Sequence, residues 1–207
     1  MVHFLLVLFL LVTACSSELE KSKVSKAINS NPERILIVYL SRTNNTKAVA
    51  QMIHQHTGCK LVALELENPY PENYKAIVDQ VAKENAAGFL PPLKTQIDSI
   101  GKYDVVFVGF PTWGMQLPPP MKSFLKQYDL SGKTIVPFNT NAGYGIGSGF
   151  ETVKALCPNS TVLEGFSTKG GIERDGVLYV MEGEKQKAVE GEVKGWLQKL
   201  DLIKEPS

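Results

Sequence analysis

The 207-residue sequence has only three cysteines, a formal net charge of +1 and no block of Lys or Arg. Without a basic cluster there is no sign of a nucleic-acid surface or of a polybasic membrane patch, so we expect no nucleic-acid partner. No spacing of residues resembles a metal site, and no base is indicated for a cysteine nucleophile. We therefore predict neither a metal centre nor catalytic side chains.

The rest of the composition is that of a globular protein. Hydrophobic residues make up 43% of the chain and charged residues 21%, and there is no internal repeat, low-complexity tract or second core. One domain, over residues 33–207, accounts for the pattern.

Residues 4–12 form a continuous apolar run that is shorter than the roughly 20 residues of a membrane-spanning helix but fits a signal-peptide core. The VTAC that ends at Cys15 resembles the lipobox of bacterial lipoproteins, although no Lys or Arg precedes the run. We predict a signal peptide over 1–14, lipid attachment at Cys15, and an extracytoplasmic, membrane-anchored lipoprotein. An ordinary signal peptide or a retained short anchor are the alternatives.

The segment 15–32 is polar and has few large apolar residues, so we interpret it as a tether with a span of roughly 20 to 25 Å. A short amphipathic helix is the alternative.

Apolar runs of strand length alternate with amphipathic segments of helix length. Because crossover helices join parallel strands, this order predicts an α/β fold, a three-layer α/β/α sandwich around a five-stranded parallel sheet. Asp175 and Gly176 are expected to turn a small hairpin. The predicted strands are 35–40, 61–66, 105–110, 134–138 and 161–166, and the predicted helices are 45–56, 74–87, 119–128, 148–156 and 184–200.

Three loops that follow predicted strands contain the candidate ligand-binding residues. The first, SRTNNT over 41–46, enters a helix whose first amide groups have no internal partner and attract phosphate. Asn44 tolerates a positive φ. The loop has no glycine and no Gly-Lys-Ser/Thr ending, so it is neither a dinucleotide turn nor a P-loop. Helix capping by Ser41 or Asn44 is the alternative.

The second loop places Trp113 between Pro111 and Gly114, two residues that break regular structure. Its ring could stack on a flat cofactor, or it could be a partly buried core residue. The third loop, within 138–150, alternates four glycines, which suits close approach of the backbone to a ligand or simple flexible packing at a turn.

Together these loops resemble the flavodoxin family over the whole folded part. Ser41, Thr43 and Thr46 fit the family's phosphate motif, and Asn44 replaces its glycine. The resemblance implies FMN as cofactor and the sheet order 2-1-3-4-5. It also implies that Trp113 stacks on the isoalloxazine and that the Gly114 peptide can flip to bond flavin N5 when the flavin is reduced. Residues implied to bind FMN are Ser41, Arg42, Thr43, Asn44, Asn45, Thr46, Pro111, Thr112, Trp113, Gly114, Thr140, Asn141, Gly143, Tyr144, Gly145 and Gly147.

Three functions stay open at this point. The first is an FMN-binding electron-transfer protein that works outside the cytoplasm with unknown redox partner proteins. The second is an FMN-dependent NAD(P)H or quinone oxidoreductase that accepts a quinone-like small molecule. The third is a cofactor-free surface binding module.

Overall fold

A computed structural model describes residues 31–203. The predicted signal peptide, Cys15 and all but the end of the tether lie outside these residues. None of the helices within 31–203 is long and apolar enough to cross a membrane. The strands are β1 Ile35–Tyr39, β2 Lys60–Ala63, β3 Val105–Pro111, β4 Thr134–Asn141, β5 Thr161–Val162 and β6 Phe166–Lys169, and the helices are α1 Asn45–Thr57, α2 Tyr74–Ala87, α3 Pro119–Gln127, α4 Gly149–Leu156 and α5 Gly183–Lys199.

The sheet runs in the order β2-β1-β3-β4-β5, and its ladders are all parallel. This confirms the predicted α/β/α fold and the order 2-1-3-4-5. All five helices lie within two residues of their predicted bounds. Left-handed glycines end the first two, with φ of 67° at Gly58 and 62° at Gly88, because such a residue lets the chain leave a helix.

The fifth strand differs from the prediction. Instead of one strand over 161–166, β5 pairs with the start of β4 and β6 with its end. The break lies at Glu164 and Gly165. The Glu164 carbonyl accepts a hydrogen bond from Trp196 Nε1 at 3.0 Å, and Gly165 is in such close contact with Phe150 that an added Cβ would lie 2.5 Å from its ring. The edge strand therefore turns toward α5 before it rejoins the ladder.

Side chains from both faces of the sheet are buried, which explains why its strands are continuous apolar runs. Ile35 and Ile37 pack into a core under α1 and α5, whereas Leu36 and Val38 pack into a second core under α3. Cys59 belongs to the first core and Cys157 to the second, and both are free thiols. The sheet itself separates them.

The expected hairpin at Asp175 and Gly176 is only a turn. A single antiparallel bridge joins Ile172 to Val177 around the 3₁₀ turn Glu173–Asp175, and Gly176 has a φ of 77°. This turn lies beside the loops that follow β1 and β4.

Candidate functional site

A cavity of about 560 Å³ opens where β1, β3 and β4 end. This is the edge of a parallel sheet at which ligands are expected. Six of the residues singled out from the sequence do not line the cavity: Ser41, Asn44, Thr112, Gly143, Gly145 and Gly147. The other ten line it: Arg42, Thr43, Asn45, Thr46, Pro111, Trp113, Gly114, Thr140, Asn141 and Tyr144.

The first loop offers a run of unused main-chain donors. Asn44 adopts the left-handed conformation, with φ of 63°, as its residue type predicted. Within residues 31–203, the N–H groups of Thr43, Asn44, Asn45 and Thr46 donate to no protein acceptor. The next N–H, that of Lys47, donates to Ser41 Oγ at 3.2 Å, so Ser41 caps the helix. Four successive free amides at a helix N-terminus form an anion cradle.

The side chain of Asn45 holds that cradle in place. It is only 3% exposed. Its Nδ2 donates to Thr43 Oγ1 at 2.9 Å and to Leu178 O at 2.6 Å, while its Oδ1 accepts from Val180 N at 3.1 Å. The Asn45 amide therefore joins the first loop to the segment after β6. Thr46 makes a similar link, because its hydroxyl bonds that of Thr140 at 2.8 Å.

Arg42 joins a third segment to this corner. Its guanidinium pairs with Glu173 at 2.7 Å and donates to the carbonyls of Pro71 and Glu72 at 3.1 and 2.5 Å. Both side chains of the ion pair are about one-fifth exposed. The arginine is thus a fixed part of the wall, and most of its donors are already used.

The second loop is a tight reversal. Trp113 N and Gln116 O are 3.3 Å apart, Gln116 N and Trp113 O are 3.0 Å apart, and φ is 56° at Gly114 and 59° at Met115. Positive φ at both central residues is typical of a type I′ turn. Because Met115 is not a glycine, this conformation is strained at that position.

Trp113 is half-buried and its ring is supported from one side. Tyr70 packs edge-on against it, with ring centroids 5.5 Å apart and an interplanar angle of 83°. The Tyr70 hydroxyl donates to the buried carboxylate of Glu84, which also accepts from Gln80 Nε2 at 2.8 Å. Burial, and then the hydrogen bond to Glu84, raise the pKa of Tyr70. This network fixes the orientation of the indole.

The third loop is held together by one side chain. Asn141 Oδ1 accepts from the N–H groups of Gly143 and Gly145 at 2.8 and 3.2 Å, so these two amides are already used. Gly147 lies directly on the second loop, because an added Cβ would come within 2.0 Å of Met115 O. That same oxygen accepts from Ser148 N at 3.0 Å. The second and third loops therefore form one rigid unit.

A family model described as flavodoxin matches residues 34–183. The chain belongs to the flavodoxin family. No curated protein matches the sequence.

Solved structures support this assignment. A candidate flavoprotein from Bacteroides eggerthii is 26% identical, with a TM-score of 0.65, over 81% of this chain and 97% of its own. A second from Bacteroides uniformis is 19% identical, with a TM-score of 0.65, over 80% and 98%. A Lactobacillus acidophilus flavoprotein in complex with FMN is 20% identical, with a TM-score of 0.59, over 70% and 98%. The last two likenesses show the fold.

More than half of the residues that line the cavity of this flavodoxin-family chain were not predicted from the sequence. Helix α2 supplies what we call the apolar wall, formed by Ile77, Val78, Val81, Ala82 and Ala86. Ile77 and Val81 are buried, whereas Val78 is 45% exposed. The spacing of these residues was visible as a helical stripe, but a stripe alone does not distinguish a core face from a cavity lining.

A second group of lining residues, which we call the polar wall, is formed by Thr43, Asn45, Thr46, Thr140 and Asn141. The turn after β6 closes one side of it with Gly170, Gly171 and Glu173. These residues were also missed, because the segment after β6 has no regular pattern in the sequence. At the rim, Tyr144 is 64% exposed and its hydroxyl lies 3.3 Å from an Arg174 guanidinium nitrogen.

Proposed function

We propose that the cavity binds FMN and that the protein transfers electrons through it. The observation that carries the proposal is that a free amide cradle and a supported tryptophan line one cavity in a chain of the flavodoxin family. The complex of the Lactobacillus acidophilus flavoprotein with FMN supports the choice of ligand. When bound, the flavin supplies the redox chemistry.

The residues present fit such a ligand. The N–H groups of 43–46 are donors for a phosphate, and the helix dipole of α1 adds to their attraction. Trp113 offers a fixed aromatic face for a planar ring. Tyr144, exposed at the rim, is the candidate for the opposite face. Gly114 has the backbone freedom that a peptide beside the ring needs.

Titration of the apoprotein with FMN tests this proposal. We expect quenching of flavin fluorescence, and we expect riboflavin to bind at least tenfold more weakly because it lacks the phosphate. Trp113→Ala should weaken FMN binding about tenfold through loss of stacking. Phe89→Ala, at an exposed aromatic outside the cavity, is the matched control. A protein that quenches no flavin would instead support the cofactor-free binding module.

The apolar wall favours a second candidate function, an FMN-dependent NAD(P)H or quinone oxidoreductase. A carrier that serves only protein partners has no need of an apolar recess beside its cofactor, whereas small-molecule sites are mostly apolar with few polar groups. Steady oxidation of NAD(P)H by a quinone, without any added reductase, would establish this activity. Absence of turnover while FMN stays bound would leave electron transfer to redox partner proteins.

We also propose that the domain acts outside the cytoplasm, anchored to a membrane by a lipid on Cys15. The apolar run over 4–12 and the cysteine that follows VTA support this location. Metabolic labelling with a radioactive fatty acid in a bacterial host should label the wild-type chain and fail to label Cys15→Ser. Cys59→Ser provides the control, because that thiol is buried in the folded domain. Equal labelling of all three chains would contradict the proposal.

A further inference from the structure

A cluster of three polar side chains lies at one end of the apolar wall. Lys122, on α3, donates to Asn85 Oδ1 at 2.8 Å and lies 3.4 Å from Gln116 Oε1. Asn85 comes from α2 and Gln116 from the turn that carries Trp113, and both line the cavity. Burial lowers the pKa of Lys122, so its ammonium group is incompletely hydrated. The cluster therefore joins three separate elements at the edge of the site.

The Lys122 ammonium group determines the orientation of the side-chain amides of Asn85 and Gln116. An ammonium group is a donor only, so the amide oxygens must point toward it and the amide nitrogens away from it. Among residues 31–203, neither Asn85 Nδ2 nor Gln116 Nε2 donates to a protein acceptor. Two unused N–H₂ groups, with a positive charge behind them, are thus available to a ligand.

The surroundings define what these donors can bind. The adjoining surface of α2 is apolar, with Val81 and Ala82 one turn before Asn85. The neighbouring acid on the helix, Glu84, already accepts from Tyr70 and Gln80. A cation would be repelled by the Lys122 charge, whereas an oxygen acceptor on a flat apolar molecule would meet two donors and an apolar surface.

We propose that Asn85 and Gln116 bind a carbonyl oxygen of a planar redox-active ring that lies on the apolar wall. This inference rests on the proposed function, because the ring is either that of the flavin or that of a molecule that exchanges electrons with it. The carbonyl has two possible sources, a quinone-type acceptor or the flavin's own pyrimidine ring. In both cases the oxygen gains electron density when the ring is reduced, and the positive charge of Lys122 strengthens the hydrogen bonds.

The variant Asn85→Asp tests the contribution of the Asn85 N–H₂ group. An aspartate keeps the shape of asparagine and can still accept from Lys122, but it has no N–H₂ group and repels an electronegative oxygen. Asn68→Asp makes the same charge change at an exposed position outside the cavity and serves as the control. We expect Asn85→Asp, and not the control, to weaken binding of the ring at least about tenfold.

The side-chain amide signals of Asn85 and Gln116 in ¹⁵N NMR spectra give a direct readout. One sample is titrated with FMN and another, without flavin, with 1,4-naphthoquinone. If naphthoquinone shifts both signals and Asn85→Asp weakens its binding, the donors serve a quinone-type acceptor. If only FMN shifts both signals and binds more weakly to Asn85→Asp, the two amide donors bind the flavin carbonyl.

Either outcome supports the proposed site. If neither ligand moves these amide signals beyond those of distant asparagines, or if Asn85→Asp and Asn68→Asp bind both ligands equally, the inference is overturned. Failure of the proposed function is distinguishable, because a protein that binds no FMN can still be titrated with naphthoquinone.

Discussion

The two walls of the cavity are built in different ways. The polar wall consists of turns whose main-chain N–H groups are either left free, as at 43–46, or donate to the side-chain oxygens of Asn45 and Asn141. The apolar wall consists of side chains on one regular helix, α2. A hydrogen-bonded turn fixes the position of a charged group, whereas an apolar helix face accepts a range of flat molecules. We therefore expect the polar wall to determine which charged group binds and the apolar wall to accommodate planar rings of different sizes.

The largest expected effect concerns the contact between the second and third loops. Gly147→Ala would place a Cβ within 2.0 Å of Met115 O, at a residue with φ of 55°. We expect the free energy of unfolding to fall by about 3 kcal/mol, as measured by urea denaturation, because backbone on both sides has to move.

Gly145→Ala is the matched control. Gly145 also has a positive φ, 86°, but nothing lies within 4 Å of an added Cβ. It should lose only about 1 kcal/mol, the cost of the conformation itself. Equal losses in the two variants would show that the loops are not in rigid contact.

The next largest effect is expected when the Asn45 side chain, which holds the amide cradle in place, is removed. Asn45→Ala leaves Leu178 O and Val180 N without their partner, so we expect a loss of about 2 kcal/mol in unfolding free energy and weaker FMN binding. Asn44→Gly, at the neighbouring residue with positive φ and no side-chain capping bond, should be neutral or stabilising. A neutral Asn45→Ala would mean that the polar wall does not depend on this side chain.

Tyr70→Phe removes the hydroxyl that bonds Glu84 but keeps the ring that packs against Trp113. We expect a loss of about 1 kcal/mol near pH 7. Because the folded protein raises the pKa of Tyr70, its stabilising contribution is complete below the ordinary tyrosine pKa and is lost as the pH rises above it.

The difference in unfolding free energy between wild type and Tyr70→Phe should therefore be constant up to about pH 10 and shrink above it. Tyr144→Phe, at an exposed ring, provides the comparison. A difference that grows with alkaline pH would contradict the assigned hydrogen bond.

The smallest effect on stability is expected at the surface of the apolar wall. Val78→Ser changes a residue that is 45% exposed, so the unfolding free energy should move by less than about 0.5 kcal/mol. Binding of a planar ring should nevertheless weaken about threefold, since apolar contact area is lost. Asp79→Ser, at an exposed position outside the cavity, is the control for isothermal titration.

Much of the fold could be predicted from the sequence because its signals are local. The apolar runs of β1 and β3 are buried on both faces, and the helices begin and end close to their patterns. The fifth strand could not be predicted, because its break depends on Trp196, which is far away in sequence.

The candidate site was predictable in part. The left-handed conformation of Asn44 and the aromatic second loop follow from residue types. The role of Asn141 does not, since its oxygen takes the amides of Gly143 and Gly145 only when the loop folds back on itself. The same holds for Arg42, whose partner Glu173 is brought to it by the strand order.

The sequence by itself determined the order of strands and helices, the loops that face the cavity, and the glycines at which the chain must turn. Secondary-structure propensity, hydrophobic periodicity and backbone sterics act over a few residues, so a short stretch of sequence determines each of these features. Only the tertiary structure decided which polar groups stay free to bind a ligand and that α2 closes the cavity. Whether a donor is satisfied or a side chain is buried depends on partners that lie far apart along the chain.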